Sequence, residues 1–358
     1  MSKIIFFKMA IVTCIASVTI VSCSKTNDVQ PPSSISVSND LSQSLATTAS
    51  TKITVAGSTL QLGINGHPLG DAPYVATSAT KQIALIKSMG MSWYRFDVQS
   101  TSDGSITVPY LSNPLITAAD AGNVKLLPML YPRTLDYSAS QSESYKAGKL
   151  LGSNFAAKNG SHFDYYELGN DLELKLLLPN QTGVSQADYD RNKFNVLAAY
   201  LKGMDEGIKL KDPGAKTMIS AGWLHYGFLR MLDWYGVKFD IVAYNWYSEM
   251  EAIAPNSPTN IPDITVKLSS LFPGKPIWIT ETNTRYKAVN SAEQDQNAFL
   301  TKFIAKCKNN PQVKVLLIYE LFNEPAKNTL EGNYGIVKWT NPFTTWAKKT
   351  VANNLTIN

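Results

Sequence analysis

The sequence predicts an α/β protein, a (β/α)₈ TIM barrel that forms a single domain over residues 58–358. Strands and helical segments alternate eight times along this region, which is about 300 residues long. Two of the strands, 124–130 and 315–319, are almost continuously apolar. Alternating strands and helices indicate βαβ units around a parallel sheet, and such strands are apolar because helices cover both faces. The length suits a barrel of this kind, which typically needs about 250 residues.

The elements follow one another in a regular order, and several have clear boundaries. Gly90 ends the first helical pattern, Tyr131-Pro132 closes the third strand, and Asp212-Pro213-Gly214 ends the longest helix, for which Asp188 is a candidate cap. The predicted strands are 60–65, 93–98, 124–130, 165–168, 216–221, 239–245, 276–280 and 313–321. The predicted helices are 81–89, 115–121, 143–159, 190–211, 228–235, 266–272, 292–308 and 342–353.

A doubly wound open sheet is the alternative to the barrel. Such a sheet usually has a glycine-rich turn after its first strand. The segment Gly63-Ile64-Asn65-Gly66-His67 lacks the G-x-G-x-x-G spacing of that turn. We therefore favour the barrel.

The N-terminal region is expected to be a targeting signal followed by a flexible tether. Residues 1–22 combine Lys3 and Lys8 with an apolar stretch that is too short to span a membrane, which is typical of a signal peptide. Ile20-Val21-Ser22-Cys23 resembles the bacterial lipobox, which implies a lipid on Cys23 and a lipid-anchored location in the bacterial cell envelope, on the periplasmic face or the cell surface. A plain signal peptide with an incidental cysteine is the alternative. Residues 23–57 are rich in Ser, Thr and Asn and suit a flexible tether.

Composition and motifs exclude several classes of function. The formal net charge is +5 and no Lys/Arg block reaches five residues, so we expect no nucleic-acid partner. His67, His162 and His225 are dispersed, and we expect neither a metal nor a cofactor. No G-x-S-x-G motif indicates a serine hydrolase. Cys307 lies in an apolar helical pattern and should be a buried small hydrophobe. The oligomeric state is left open.

Acids, amides and aromatic residues gather where the predicted strands end, which is where barrel enzymes carry their chemistry. These ends are Tyr94-Arg95-Phe96-Asp97, Glu167-Leu168-Gly169-Asn170-Asp171, Gly222-Trp223-Leu224-His225, Tyr244-Asn245-Trp246-Tyr247, Ile279-Thr280-Glu281-Thr282-Asn283 and Tyr319-Glu320-Leu321-Phe322-Asn323-Glu324. Carboxylates and amides bind hydroxyl groups, and aromatic faces pack on sugar C–H surfaces. The pattern therefore favours an oligo- or polysaccharide ligand.

An Asn-acid pair on strand four and Ile-Thr-Glu on strand seven resemble the clan A glycoside hydrolases, which are retaining enzymes on (β/α)₈ barrels. The resemblance covers about residues 58–358. It implies that Glu281 is the nucleophile and Asp171 the general acid/base. It also implies that Asn170 holds the sugar 2-hydroxyl, Arg95 keeps the nucleophile ionised and Tyr247 hydrogen-bonds it. Retaining hydrolysis requires two such carboxyl groups.

Two residues depart from the clan pattern. The strand-four acid is usually Glu, whereas position 171 is Asp. Asn245 stands where the clan has His in a His-x-Tyr pattern. Asp171 is expected to work from a shifted backbone. The alternatives are that Glu173 has taken over the role of the acid, or that the protein is a weak enzyme or a sugar-binding remnant.

The remaining residues have weaker assignments. Trp223, Trp246, His225 and Asn245 are candidate sugar contacts, with core packing as the alternative for both tryptophans. Glu167 and Glu320 are expected to be buried structural acids, and Glu324 a loop charge.

The function predicted from these residues is hydrolysis of a β-linked glycan by a retaining double displacement. One alternative is a non-catalytic glycan-binding lipoprotein on the same barrel. A transglycosylase that uses the same site is the weaker alternative.

Overall fold

The computed structural model describes residues 53, 58–256, 258–284, 292–327 and 330–355. The predicted signal peptide, Cys23 and all of the predicted tether except Ile53 lie outside this part of the chain. Among the described residues, no helix combines the length and the apolar character needed to cross a membrane.

Eight parallel strands close into a barrel in sequence order, with β1 pairing to both β2 and β8. This confirms the predicted (β/α)₈ barrel. The barrel strands are β1 (Gln61–Gly66), β2 (Trp93–Val98), β3 (Lys125–Leu130), β4 (Tyr165–Glu167), β5 (Lys216–Gly222), β6 (Ile241–Asn245), β7 (Ile277–Thr282) and β8 (Val313–Ile318).

The helices pack around the outside of the barrel and separate its strands along the chain. They are α1 (Ala72–Val75), α2 (Ala79–Lys87), α3 (Pro109–Gly122), α4 (Gln141–Asn159), α5 (Arg191–Lys211), α6 (Tyr226–Tyr235), α7 (Ser248–Ile253), α8 (Ile264–Leu271), α9 (Ala292–Asn309) and α10 (Thr350–Asn354). Cys307 on α9 is fully buried, as expected, and burial raises the pKa of its thiol.

The cap of the longest helix, α5, differs from the prediction. The Asp190 carboxylate accepts hydrogen bonds from the backbone N–H groups of Asn192 and Lys193, so Asp190 is the N-cap. Asp188 instead lies in a short 3₁₀ helix, Gln186–Asp188, and closes a capping box with Ser185. The expectation for Asp188 was wrong because a separate helical turn precedes α5.

The C-terminal segment also differs from the prediction of one helix over 342–353. Two antiparallel strands, β9 (Val337–Asn341) and β10 (Thr345–Lys348), come first, and only α10 is helical. The rings of Trp339 and Trp346 lie 5.8 Å apart, and Trp339 also packs on Phe322 at 5.1 Å. These aromatic contacts favour a hairpin at this position.

Two apolar layers hold the barrel together. The larger one lies between strands and helices, and the smaller one fills the inside of the barrel toward its N-terminal end. The residues of the smaller layer are Trp93, Leu127, Met218, Ile241, Ala243, Trp278, Val315 and Leu317. This packing fixes the strand ends at the opposite face, where the candidate site lies.

Candidate active site

Arg95 on β2 is the centre of a buried polar network at the C-terminal end of the barrel. Its guanidinium donates to both carboxylate oxygens of Glu167, with Nη2 2.9 Å from Oε1. Nη1 donates to Asn65 Oδ1 at 2.7 Å and to Glu281 Oε1 at 3.1 Å. Nη2 also donates to Asn170 Oδ1 at 3.1 Å. One side chain thus joins residues from strands β1, β2 and β7 with the end of β4.

The charge of Arg95 is stabilised by its two carboxylate partners. Burial by itself would lower the pKa of the guanidinium, but Glu167 and Glu281 outweigh burial and raise it well above its ordinary value. Glu167 is fully buried and held at both oxygens, which agrees with the structural role expected for it. Arg95 is therefore a permanent cation beside Glu281.

Glu281 reaches this network because of an irregularity between β6 and β7. Tyr244 pairs with Ile279 and Asn245 with Glu281, so Thr280 is an extra residue on β7. As a result, the consecutive side chains of Thr280 and Glu281 both contact residues of the network. Bulges of this kind re-aim side chains and are frequent beside active sites.

The second oxygen of Glu281 is held by Tyr247. The Tyr247 hydroxyl donates to Glu281 Oε2 at 2.8 Å. Burial, and then the Glu281 charge, raise the pKa of Tyr247 well above its ordinary value, so this hydroxyl remains a donor. Glu281 itself is 2% exposed and accepts hydrogen bonds at both oxygens, from Arg95 at Oε1 and from Tyr247 at Oε2.

Asp171 lies directly after Asn170 and has a left-handed backbone conformation, with φ of 49°. Asn245 links the two residues, because its Nδ2 donates to Asp171 Oδ1 at 2.9 Å and to Asn170 Oδ1 at 3.1 Å. The amide of Asn245 is oriented by Thr280, whose hydroxyl donates to Asn245 Oδ1 at 2.9 Å. Asn245 therefore contacts the proposed acid.

Glu173 occupies a different place from Asp171. It is fully buried, and its Oε1 accepts from the backbone N–H of Gly222 at 3.0 Å. The same oxygen lies 3.1 Å from His225 Nδ1. Glu173 therefore holds the turn that follows β5, which favours Asp171 over Glu173 as the acid. A sugar contact by His225, which is 6% exposed, stays a prediction.

The two tryptophans have different environments. Trp246 has no exposed surface, and its indole N–H donates to Glu251 Oε2 at 2.7 Å. The expectation that Trp246 faces a sugar was wrong, since it stacks against Trp223 with ring centroids 6.2 Å apart. Trp223 is partly exposed and remains a candidate sugar platform supported by Trp246.

Glu320 and Glu324, beyond β8, are both buried. Glu320 is fully buried and accepts a hydrogen bond from Tyr74, as expected of a structural acid. Glu324 is 2% exposed, so the expectation of a loop charge was wrong. Burial and the neighbouring Glu320 raise the pKa of Glu324 to about 9. Its position in the sequence, just before Pro325, gave no sign of this burial.

The opposite end of the barrel carries a hollow of about 510 Å³. Half of its lining residues are aromatic or basic, and they include Trp93, Trp278, Tyr165, Lys125 and Lys216. Among the described residues of this lining, Asp240 is the one acid. The hollow therefore lacks the pair of carboxyl groups that the C-terminal end provides.

Three network residues were not selected from the sequence. Asn65 accepts from Arg95 and donates to the backbone oxygens of Thr280 and Ile318. Thr280 orients Asn245, and the Ser220 hydroxyl donates to Asn170 Oδ1 at 3.2 Å. Each is a polar residue at or near the end of an apolar strand, and this position is the feature of the sequence that could have identified them.

Residues 191–340 match the family model described as a glycosyl hydrolase catalytic core. This segment contains Asn245, Tyr247 and Glu281, while Arg95 and Asp171 precede it. No curated protein sequence matches the chain.

Several solved structures have a similar fold. A family 39 glycoside hydrolase from the gut symbiont Bacteroides cellulosilyticus WH2 is 16% identical with a TM-score of 0.60, over 85% of this chain and 65% of that one. The AHE enzyme from Alicyclobacillus herbarius is 11% identical with a TM-score of 0.60, over 84% of this chain and 98% of that one. A family 1 β-glucosidase from Thermotoga maritima is 13% identical with a TM-score of 0.56, over 84% and 97% of the two chains.

At these identities the solved structures show a shared barrel fold. This chain spans only 65% of the length of the family 39 enzyme. The segment 191–340, which matches the glycosyl hydrolase catalytic core, carries Glu281 near the end of β7. Over that segment the chain is similar to glycoside hydrolases, and the solved structures show that its barrel has the same fold as theirs.

Proposed function

We propose that this protein hydrolyses a β-linked glycan with retention of anomeric configuration, with Glu281 as nucleophile and Asp171 as general acid/base. The observation that carries the proposal is a continuous series of direct hydrogen bonds. It runs from Glu281 through Arg95 and Asn170 to Asn245 and Asp171. Two carboxyl groups on different strand ends are thereby held in one network, as a double displacement requires.

Glu281 is suited to attack because hydrogen-bond donors hold both of its carboxylate oxygens. Arg95 donates to one oxygen and Tyr247 to the other, and both donors keep their protons. In the first step, a bond forms between a Glu281 oxygen and the anomeric carbon while the glycosidic C–O bond breaks. Arg95 remains neutralised by Glu167 throughout this step.

Asp171 is suited to donate the proton that the leaving oxygen needs. Asn245 Nδ2 donates to Asp171 Oδ1 and so orients the carboxyl group. In the proposed step, the protonated carboxyl group of Asp171 passes its proton to the leaving oxygen. In the second step, Asp171 takes a proton from water as that water attacks the anomeric carbon and frees Glu281.

Asn170 is suited to hold the sugar in place. Its carbonyl oxygen accepts from Arg95, Ser220 and Asn245. Its amide N–H₂ group is therefore the part that donates to a ligand. This orientation supports the proposed hydrogen bond to a sugar 2-hydroxyl.

The test is release of new reducing ends from a panel of plant, algal and host glycans by the protein beginning at Ser24. Release that is lost in Glu281→Gln is the expected result and identifies the substrate. Tight binding of one glycan without release, unaffected by Glu281→Gln, would replace hydrolysis by glycan binding. Products longer than the substrate in the presence of an acceptor sugar would indicate a transglycosylase.

We also propose that Cys23 carries a lipid that anchors the protein in a bacterial cell envelope. The proposal is supported by the sequence Ile20-Val21-Ser22-Cys23 after a basic and apolar stretch. Incorporation of a labelled fatty acid into the full chain, and its loss in Cys23→Ser, is the expected outcome. Equal labelling of both proteins would contradict it.

A further inference from the structure

A second group of ionisable side chains lies where the first and last barrel strands end. His67 follows β1, and Glu320 and Glu324 follow β8. Each offers one potential metal-ligating atom, and these atoms lie within 4.8 Å of one another. We propose that His67, Glu320 and Glu324 bind a divalent metal ion that accepts both imidazole and carboxylate ligands, namely Zn²⁺ or Mn²⁺.

The orientation of His67 suits a metal ligand. Its Nδ1 lies 3.0 Å from Asp97 Oδ2, so Nδ1–H donates to that carboxylate. The other ring nitrogen, Nε2, lies 3.4 Å from Glu320 Oε2 and 3.3 Å from the Tyr319 hydroxyl, and a bound ion would replace the contact to that hydroxyl. A carboxylate on the far side of a ligating histidine is the usual arrangement in metal sites, because it fixes the tautomer and the ring orientation.

Both glutamates have oxygen atoms that no hydrogen-bond donor reaches within the described part of the chain. These atoms are Glu320 Oε1 and Glu324 Oε1, on side chains that are 0% and 2% exposed. The other Glu320 oxygen accepts from Tyr74 at 2.7 Å. A buried carboxylate oxygen without a partner is costly, and a metal ion is one of the partners that such groups take.

Acidic and basic side chains lie together around the cluster. The carboxyl groups are those of Asp71, Asp97, Glu320 and Glu324, and the described cations that act on them are His67, Lys327, Arg95 beside Asp97 and Lys349 near Glu320. The ion would bind His67 as the neutral imidazole, so it would take the place of the Nε2 proton. Lys327 forms an ion pair with Glu324 and lies 3.7 Å from Asp71 Oδ2. It would therefore keep an acidic partner when Glu324 binds the ion.

The donor set selects the class of ion. One imidazole and two carboxylates suit Zn²⁺ or Mn²⁺, whereas Ca²⁺ and Mg²⁺ prefer oxygen ligands alone. Bonds of about 2.0–2.2 Å require the three donors to move closer together, which rotation of the glutamate side chains permits. Because β1 and β8 are hydrogen-bonded neighbours, the ion would stabilise the barrel where its first and last strands meet.

The experiment uses full-length protein stripped of metal by a chelator and titrated with Zn²⁺, Mn²⁺ or Ca²⁺ in a calorimeter. We expect one Zn²⁺ or Mn²⁺ per chain, a higher melting temperature on binding, and no such effect of Ca²⁺. His67→Gln and Glu324→Gln should abolish stoichiometric binding, and Asp97→Asn should weaken it about 10- to 100-fold. His162→Gln, which alters an exposed histidine, is the matched control and should bind normally.

Two results would overturn the proposal. One is no stoichiometric binding of either ion by folded wild-type protein. The other is binding that survives in both His67→Gln and Glu324→Gln, since the ion would then lie elsewhere. Circular dichroism identifies a variant that has failed to fold, and X-ray absorption of the zinc-loaded wild type then decides. A nitrogen and oxygen shell that contains imidazole supports the site, and sulfur ligands contradict it.

Discussion

The two ends of the barrel are built from the same strands but differ in their inward side chains, which are aromatic at one end and charged or amide at the other. At the N-terminal end, Trp93 packs against Trp278 and Tyr165 with ring centroids 4.6 and 5.1 Å apart. Two residues further along β2, Arg95 ties Glu281 into a network of charges and amides. Side chains on the inner face of a strand recur every second residue. On β2, Trp93 therefore packs inside the barrel, and Arg95, two residues further on, lies in the candidate site.

This difference predicts that stability and activity depend on separate residues. Replacements at the aromatic end should lower the free energy of unfolding, and replacements in the polar network should lower the rate of the reaction. The following variants test that separation, beginning with the largest expected effect.

Glu281→Gln should lower kcat on the order of 10⁴-fold or more, because it removes the proposed nucleophile. The melting temperature should change little, since Arg95 keeps both contacts to Glu167. Kinetics on the substrate found in the glycan panel, together with thermal unfolding, measure the two effects. A variant that retains a tenth of wild-type activity would remove Glu281 from the mechanism.

Trp278→Ala should lower stability and leave activity per folded molecule close to wild type. The side chain is 3% exposed and packs on Trp93 and Tyr165 inside the barrel. Its loss should reduce the free energy of unfolding by about 3–5 kcal/mol, the usual range for truncation of a buried aromatic residue. Denaturant unfolding measures the change. Activity per folded molecule should stay close to wild type, and a large loss of kcat at full folding would show that the two ends are coupled.

Asp171→Asn should lower kcat by about 10²–10⁴-fold, the contribution expected of a general acid/base. The loss should be smaller for an aryl glycoside with an acidic leaving group, because departure of that group needs little protonation. A series of aryl glycosides of rising leaving-group pKa measures this dependence. Equal losses across the series would favour a binding role for Asp171, and Glu173→Gln provides the comparison with the other candidate acid.

Much of the barrel could be predicted because its signals are local. The strand 93–98 was predicted with its observed bounds, and the apolar runs 124–130 and 315–319 overlap β3 and β8. The hairpin of β9 and β10 could not be predicted in this way. Its conformation depends on packing between Trp339, Trp346 and Phe322, which local periodicity does not report.

The candidate site could likewise be predicted only in part from the sequence. Position at a strand end, together with the resemblance to the clan A pattern, was enough to select Arg95, Asp171 and Glu281. Contacts between distant strands were not predictable, so the meeting of His67 with Glu320 and the burial of Glu324 were missed. His67 and Glu320 lie about 250 positions apart in the sequence, and closure of the barrel between β1 and β8 brings them together.

Asn245→Ala should have the smallest effect in this series. The Asn245 amide donates to Asp171 and Asn170 without being a proposed reacting group. Loss of these hydrogen bonds should lower kcat about tenfold, which corresponds to about 1.4 kcal/mol. A positioning role also predicts a displaced limb in the pH profile of kcat/KM, because Asp171 loses a partner. An unchanged profile with a raised KM would make Asn245 a substrate contact instead.

Glu281 is proposed to form a covalent bond to the sugar, and trapping that bond tests the mechanism most directly. The wild-type protein would be incubated with the 2-deoxy-2-fluoro glycoside of the sugar identified in the glycan panel, and digested peptides would be weighed by mass spectrometry. We expect the mass of one fluorosugar on the peptide that contains Glu281, and no adduct in Glu281→Gln. An adduct on another carboxylate, or hydrolysis with inverted anomeric configuration, would contradict the mechanism.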